Sequence, residues 1–461
     1  MNKSYPKTTQ VKRERNPLKI RVAAVFSFLL IYTASIFAQT WDSAGGGVNG
    51  TVNALLVYNS SLIAGGSFSQ AGGGAVNNMA GWSGSSWSGI GSGVQYAGVW
   101  QLAEWNGDLY AGGFFNIAGG TGARNVAGWN GTNWYPLGKG ADMVVYALAV
   151  FNNELYIGGG FDSAGGIAAS HIAAWNGSQW KAIQSGTNSF VQALCVYNGC
   201  LVAGGSFDSA GGIAANGIAI WDGSAWSQPG GGVNGYVTCL NVCNGALYVG
   251  GNFTKAGGMT AHNIARWDGT TWSALGNGVN KTVSALVSGN KNLYAGGYFT
   301  SAGGNSANYI AVWNTSASSW SPLGLGTDSA VLSLALFNND LYAGGEFTHA
   351  GGTAANHIAE YSMNLLGINY PPAVTGDITL YPNPSDGKFI VQTAAPGNLT
   401  YIMQTFNLLG QQVSQNPLHG GLNEVNLMAL PAGIYIYRIL NIGAASSGDN
   451  AAASGRIIIE R

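Results

Sequence analysis

Seven segments of this chain are variations on one template. They read LIAGGSFSQAGG (62–73), LYAGGFFNIAGG (109–120), LYIGGGFDSAGG (155–166), LVAGGSFDSAGG (201–212), LYVGGNFTKAGG (247–258), LYAGGYFTSAGG (293–304) and LYAGGEFTHAGG (341–352). The shared phenylalanines, Phe68, Phe115, Phe161, Phe207, Phe253, Phe299 and Phe347, are separated by 47, 46, 46, 46, 46 and 48 residues. A fixed period in this range marks a repeat architecture, in which each unit buries its faces only against its neighbours. The fourth unit serves as the model. VQALCVY (191–197) reads as a strand, and an Asn-led dipeptide joins it to a second strand, LVAGGSF. The dipeptide begins with Asn in every unit, at Asn59, Asn106, Asn152, Asn198, Asn244, Asn290 and Asn338. Asn tolerates the positive φ that a two-residue hairpin turn requires. GIAIW (217–221) reads as a third strand, DG (222–223) as a second hairpin signal, and a fourth strand begins near Trp226.

Four strands in about 46 residues, repeated seven times, predict an all-β fold: a seven-bladed β-propeller of four-stranded blades over residues 40–366. The paired glycines fit close approach of one blade to the next. Trp41 begins WDSAGGGV, which aligns with WSGIGSGV at Trp87 and WSALGNGV at Trp272, so residues 41–48 are a fourth strand without its first three. The seventh unit has the opposite defect, since NHIAEY (356–361) lacks the following Trp step. The N-terminal strand 41–48 is therefore expected to complete the last blade and close the ring, which removes a free sheet edge. The Gly45-x-Gly47-x-x-Gly50 spacing in the same stretch imitates a dinucleotide loop, but strand-like TVNALLVY follows it where such a loop needs a helix.

The di-glycine after an apolar strand and the later Trp resemble kelch-like propellers. GGNFTKAGGMTAHNIARWDGTTW (250–272) resembles still more closely the repeats of the fungal cortical cell-polarity marker family. The resemblance implies a propeller fold, and propellers host many functions.

Charge restricts the partners. Seven of the 18 basic residues lie within the first 21 positions, which leaves 11 basic against 18 acidic residues in the remainder. No basic patch fit for phosphate binding survives there, so nucleic acid is excluded as a partner. The basic start runs into an uncharged apolar segment (22–38) ending in small residues, the pattern of a secretory signal peptide over 1–38. No later segment is apolar enough to span a membrane.

After a linker (367–378), residues 379–461 carry no blade repeat. Their short alternating segments, KFIVQTA, GIYIYRIL and GRIIIER, predict a small C-terminal β-sandwich. LYPNPSDGKF (380–389), FNLLGQQV (406–413), LMALPAGIYIYRI (427–439) and the terminal GRIIIER together resemble the type A sorting domain of the bacterial type IX secretion system. The residues carrying that resemblance include Tyr381, Pro382, Asn383, Pro384, Gly387, Gly410, Gly433 and Tyr435. It implies a Bacteroidetes-type exporter as partner, passage through the periplasm and across the outer membrane, and a final extracellular or surface-attached location. The insert GAASSGDNAAAS (443–454) is expected to lengthen the final hairpin loop.

Candidate binding residues lie in the variable crossings between blades. Tyr96, Phe190 and Tyr236 offer rings for stacking on a sugar or peptide, and Asp142 and Asp328 offer acceptors for hydroxyl groups. The residue after each template Phe (Ser69, Asn116, Asp162, Asp208, Thr254, Thr300, Thr348) reads as an Asx- or Ser/Thr-turn former bonded to its own backbone. Calcium at Asp162 and Asp208 would need more carboxylates than these loops supply. His171 and His357 replace an Asn before the third strand, which favours a structural hydrogen-bonding role. No metal motif or nucleophile elbow occurs, and no cofactor, metal or catalytic residue is expected. Cys195, Cys200, Cys239 and Cys243 fit disulfides and packed thiols equally. The preferred expectation is a monomeric, exported, non-catalytic binding module for a glycan or a protein. A polysaccharide-acting hydrolase or lyase and a purely architectural repeat are the alternatives.

Overall fold

The computed structural model describes residues 41–363, 378–393, 401–407, 411–441 and 451–460. The expected signal peptide, the linker up to residue 377, and Gly410 lie outside them. The described chain is all-β. Residues 41–361 form seven four-stranded antiparallel sheets, one for each repeat, with the strands of a repeat in sequence order across the sheet. In the fourth repeat these strands are Val191–Tyr197, Cys200–Gly205, Ile218–Trp221 and Trp226–Ser227. The arrangement is consistent with a β-propeller.

The last sheet takes its outer strand from the start of the region. Trp41–Ser43 pairs antiparallel with Ile358–Tyr361, with Trp41 opposite Tyr361 and Ser43 opposite Ala359. The strand is shorter than the expected 41–48, because Gly45, Gly46 and Gly47 all take positive φ and turn the chain. The rings of Trp41 and Tyr361 lie 4.9 Å apart, where Trp221 and Trp226 of the fourth sheet lie 5.4 Å apart.

Local chemistry accounts for this regularity. All seven turn asparagines have φ between 46° and 53°, the left-handed geometry that fits a tight hairpin to strand twist. In the first six sheets the second hairpin is wider than a two-residue turn. Asp222 Oδ1 accepts from the backbone N–H groups of Ser224 and Ala225, so the loop is a four-residue Asx turn. The same arrangement at Asp268, with N–H donors from Thr271 and Thr270, holds that carboxyl well below the usual range.

Between sheets, the first glycine of each pair is enclosed by the next sheet. A Cβ at Gly204 would lie 2.5 Å from Val237 Cγ1, and one at Gly344 of the last sheet would lie 2.5 Å from Val52 Cγ1 of the first. The fourth-strand indoles add hydrogen bonds across the same seams. Trp87 donates to Ala44 O, Trp180 to Leu137 O and Trp320 to Leu275 O, each at 2.8 Å, and Trp41 donates to Leu323 O at 3.0 Å. Trp226 Nε1 has no such partner. The core is accordingly a series of apolar clusters, each spanning two sheets; Val52 and Leu62, for instance, share one with Phe337 and Ile358.

The C-terminal residues form a three-stranded sheet (Thr379–Tyr381, Lys388–Gln392, Leu422–Asn426) and a four-stranded sheet. The second contains Gln412–Leu418, Tyr401–Phe406, Gly433–Asn441 and Ala451–Ile459 in that spatial order. Phe389 and Val425 of one sheet share a buried core with Met403, Ile439 and Ile457 of the other, which is a small β-sandwich. The insert is not wholly a loop, because Ala451, Ala453 and Ser454 pair with Leu440, Ile439 and Arg438. Asn383 Oδ1 accepts from Ile458 N–H at 2.8 Å, which ties the loop between the first two strands to the last strand, and Tyr435 Oη donates to Pro431 O at 2.9 Å, which fixes the entry to its own strand.

Candidate ligand-binding site

The first strand of every repeat carries a β-bulge at one equivalent position. In the third sheet, Val145 and Ala147 oppose the adjacent residues Gly159 and Gly158, which leaves Tyr146 as the extra residue. The other six are Asn53, Trp100, Gln192, Thr238, Ser284 and Leu332. A bulge re-aims the side chain of its extra residue. Here all seven converge on one cavity of about 500 Å³, together with Thr51, Ser67, Gln101, Tyr298 and Glu346. Below it the space narrows to about 150 Å³ between rows that include Ala147, Ala193 and Ala285 and Leu194, Leu240 and Leu286.

Sequence reasoning missed this set, though a signal for it was present. A valine precedes the bulge in every repeat and a compact residue follows it in most, while the bulge residue is different each time. The seven include two aromatics, two amides, two hydroxyls and one leucine. Packing does not explain such variety in so regular a repeat.

One side of the mouth is aromatic. The Trp100 and Tyr146 rings meet edge-on at 5.9 Å, Tyr146 lies 6.4 Å from Phe190, and Phe190 lies 5.7 Å from His171. Trp100 remains 41% exposed and Phe190 44%. In the sixth and seventh sheets, Tyr298 Oη donates to Glu346 Oε1 at 3.3 Å. Partial burial and then the Glu346 carboxylate raise the Tyr298 pKa, so this hydroxyl stays protonated and able to donate.

The five sequence candidates do not form one site. Phe190 adjoins the mouth through Tyr146. The Tyr236 hydroxyl accepts from Asn252 Nδ2 at 3.2 Å. Tyr96 and Asp142 instead share a separate pocket of about 300 Å³ with Phe114 and Arg124, where Tyr96 is 67% exposed with a left-handed φ of 85°.

Asp142 and Asp328 are engaged in holding loops. Asp328 Oδ1 accepts from the N–H groups of Thr348 and His349, and its Oδ2 accepts from Thr348 Oγ1 and meets His349 Nδ1 at 3.0 Å. Asp142 binds the N–H groups of Asp162 and Ser163 and the Ser163 hydroxyl in the same manner. Asn49, Asn188, Asn234 and Asn280 occupy the equivalent places in other repeats and accept the equivalent N–H pairs. This corrects the expected role of the residue after the template Phe. Thr254 Oγ1 and Thr300 Oγ1 accept from Asn234 and Asn280 across the crossing, and Asp208 accepts from Asn188; these side chains do not fold back on their own backbone.

His171 and His357 share the left-handed backbone of the asparagines they replace, with φ of 64° and 61°. His357 Nδ1 lies 3.2 Å from Gly345 O, whereas His171 Nδ1 is buried without a partner, and burial lowers the His171 pKa. All four cysteines are free thiols, and burial pushes Cys195 and Cys239 up to about 12. Among the described residues no group of three or more His, Cys, Asp or Glu side chains is placed to hold a metal, and no helix is long and apolar enough to cross a membrane.

No curated protein matches this chain. Among solved structures, the extracellular domain of BT4673 from B. thetaiotaomicron is similar at 10% identity and a TM-score of 0.45; the match covers 89% of this chain but only 56% of that one. The computationally designed Ika8 protein is similar at 15% identity over 90% of this chain and 98% of its own, with a TM-score of 0.36. A chain of the mitotic checkpoint complex is similar at 16% identity over 77% and 98%, with a TM-score of 0.47. Likenesses this distant assign no activity. Residues 379–450 match the secretion system C-terminal sorting domain, which indicates type IX export across the outer membrane to the cell surface or the extracellular space.

Proposed function

We propose that this is an exported, non-catalytic binding protein: a closed seven-bladed propeller over residues 40–366 that seats its ligand at the mouth of the central channel, followed by a linker (367–378) and the sorting domain (379–461). The ring of seven bulge residues, different in every repeat and gathered on one cavity, carries this reading. Packing of Gly344 against Val52 and pairing of Trp41–Ser43 with Ile358–Tyr361 support a closed ring. The kelch-like repeat resemblance and the expected signal peptide over 1–38 agree with it. Phe190 and Tyr236 extend the contact surface at the rim, whereas Tyr96, Asp142 and Asp328 belong to crossings outside the mouth.

Support for binding over turnover comes from the lining. Glycoside hydrolysis ordinarily uses two carboxyl groups flanking the scissile bond, and Glu346 is the one carboxylate among the lining side chains. The test is a binding screen of the secreted chain against glycans and extracellular proteins, repeated with Trp100→Ala, Tyr146→Ala and Tyr298→Ala. Binding weakened at least tenfold by these changes and unaltered by Tyr96→Ala supports the mouth. Binding that follows Tyr96 moves the site to the Tyr96–Phe114 pocket, and turnover of a bound polysaccharide overturns the non-catalytic reading.

A further inference from the structure

The lining of the mouth specifies a ligand class. We infer that it takes an uncharged carbohydrate; this rests on the proposed mouth site and narrows its occupant. Three features of the cavity lead there. Trp100 and Tyr298 are exposed and Tyr146 is half-buried, with Trp100 and Tyr146 adjacent on one side at 5.9 Å. An aromatic face set beside polar groups matches the two surfaces of a pyranose, whose C–H face stacks while its hydroxyls bond at the edge. The remaining polar groups are amides and hydroxyls, which both donate and accept, as sugar hydroxyls do. Asn53, Gln101, Gln192 and Ser284 are of this kind, and Glu346 adds an acceptor beside the Tyr298 hydroxyl.

Charge then separates the alternatives. The cavity is lined by no Lys or Arg, and its one ionisable acid is Glu346. A uronate, sulfate or phosphate group would enter without a counter-charge, which low-dielectric surroundings make costly. The acidic excess beyond the first 21 residues adds a repelling field. A basic peptide would find a single carboxylate, with amides and hydroxyls at most of its other contacts. Beneath the mouth the space narrows to about 150 Å³ between alanine and leucine side chains. A glycan terminus of one or two sugars fits this narrowing better than the middle of a chain.

The experiment uses the full secreted chain on an array holding neutral gluco-, manno-, galacto- and xylo-oligosaccharides, oligogalacturonate and heparin fragments, and Lys/Arg-rich peptides. Binding to a neutral oligosaccharide is expected, reduced at least tenfold by Trp100→Ala and by Tyr146→Ala. Unchanged thermal unfolding of each variant shows that the fold is intact. Gln192→Lys is expected to add affinity for the uronate-bearing probes. Acidic or peptide probes that bind, and are lost in Trp100→Ala, overturn the uncharged-carbohydrate assignment and leave the mouth standing. Neutral binding untouched by Trp100→Ala, Tyr146→Ala and Tyr298→Ala overturns the mouth itself. Failure to bind any neutral sugar overturns the carbohydrate assignment.

Discussion

The asparagines and aspartates of this chain act mostly as substitutes for backbone. At the first hairpins Asn adopts left-handed φ, and at the second hairpins Asp222 and Asp268 gather loop N–H groups. For the second role, DG (222–223) marks a hairpin without revealing the wider Asx turn, whereas the first role is legible in the sequence because its cause is a single residue type at a turn. The clamp from each crossing to the next loop is not, because its two halves are 20 residues apart: Asn49 to Ser69, Asp328 to Thr348. Only coordinates join them, and so Asp142 and Asp328 read as ligand groups when taken alone. A prediction follows from the equivalence of Asn and Asp there. Asp328→Asn retains the two N–H bonds but loses the charge, and is expected to cost less at pH 7 than Asp328→Ala, for which about 1 kcal/mol is expected. Burial would raise the Asp328 pKa, but the His349 and Thr348 donors hold it down to about 2. A lowered folded pKa gives stability that is full above the unfolded value of about 4 and is lost as pH falls toward about 2. Thermal midpoints measured at pH 7, 4 and 2.5 should show a larger loss in the wild type across that window than in Asp328→Asn. Identical pH profiles would remove the clamp as its source.

At the level of the strand, the repeat predicts its own elements well, since strands one, two and three fall within a residue or two of their expected places in the fourth unit. The bulges are harder to read. A bulge consumes one residue without changing the repeat length, so no spacing betrays it; the variable residue after each valine is its trace. The N-terminal strand is the element on which the last sheet depends. Trp41 is 4% exposed and bonds Leu323 O, so Trp41→Ala should cost about 3–5 kcal/mol, read as a lowered denaturation midpoint. Deletion of 41–48 should do at least as much and expose the Ile358–Tyr361 edge to association, visible as aggregation on gel filtration. Gly204→Ala tests the seams between sheets. Its Cβ would press on Val237, and overpacking of this kind costs about 1–3 kcal/mol. A neutral result there would mean that the sheets are not held at the observed separation.

For the molecule as a whole, the export address and the proposed binding site lie in separate parts of the chain. The sorting motifs were readable because they are short, local and in order, and their family match confirms the export route. The cavity lined by the bulge residues was not readable: the sequence pointed to the long crossings, and of the candidates there only Phe190 adjoins the cavity, through Tyr146. Which side chains line the cavity depends on residues from all seven repeats coming together, which no single repeat encodes. Removal of residues 379–461 is expected to leave the repeat region stranded in the periplasm, checked by fractionation of cells carrying the shortened chain. Its appearance in the medium at wild-type levels would detach export from the sorting domain. The central claim, that ligand is held by the bulge ring, is tested most directly by hydroxyl-radical footprinting of the secreted chain with and without a saturating ligand from the glycan screen. Protection is predicted at Trp100, Tyr146 and Tyr298, with Tyr96 and Phe114 oxidised as before. Protection at Tyr96 and Phe114, with the three mouth aromatics unchanged, would contradict it.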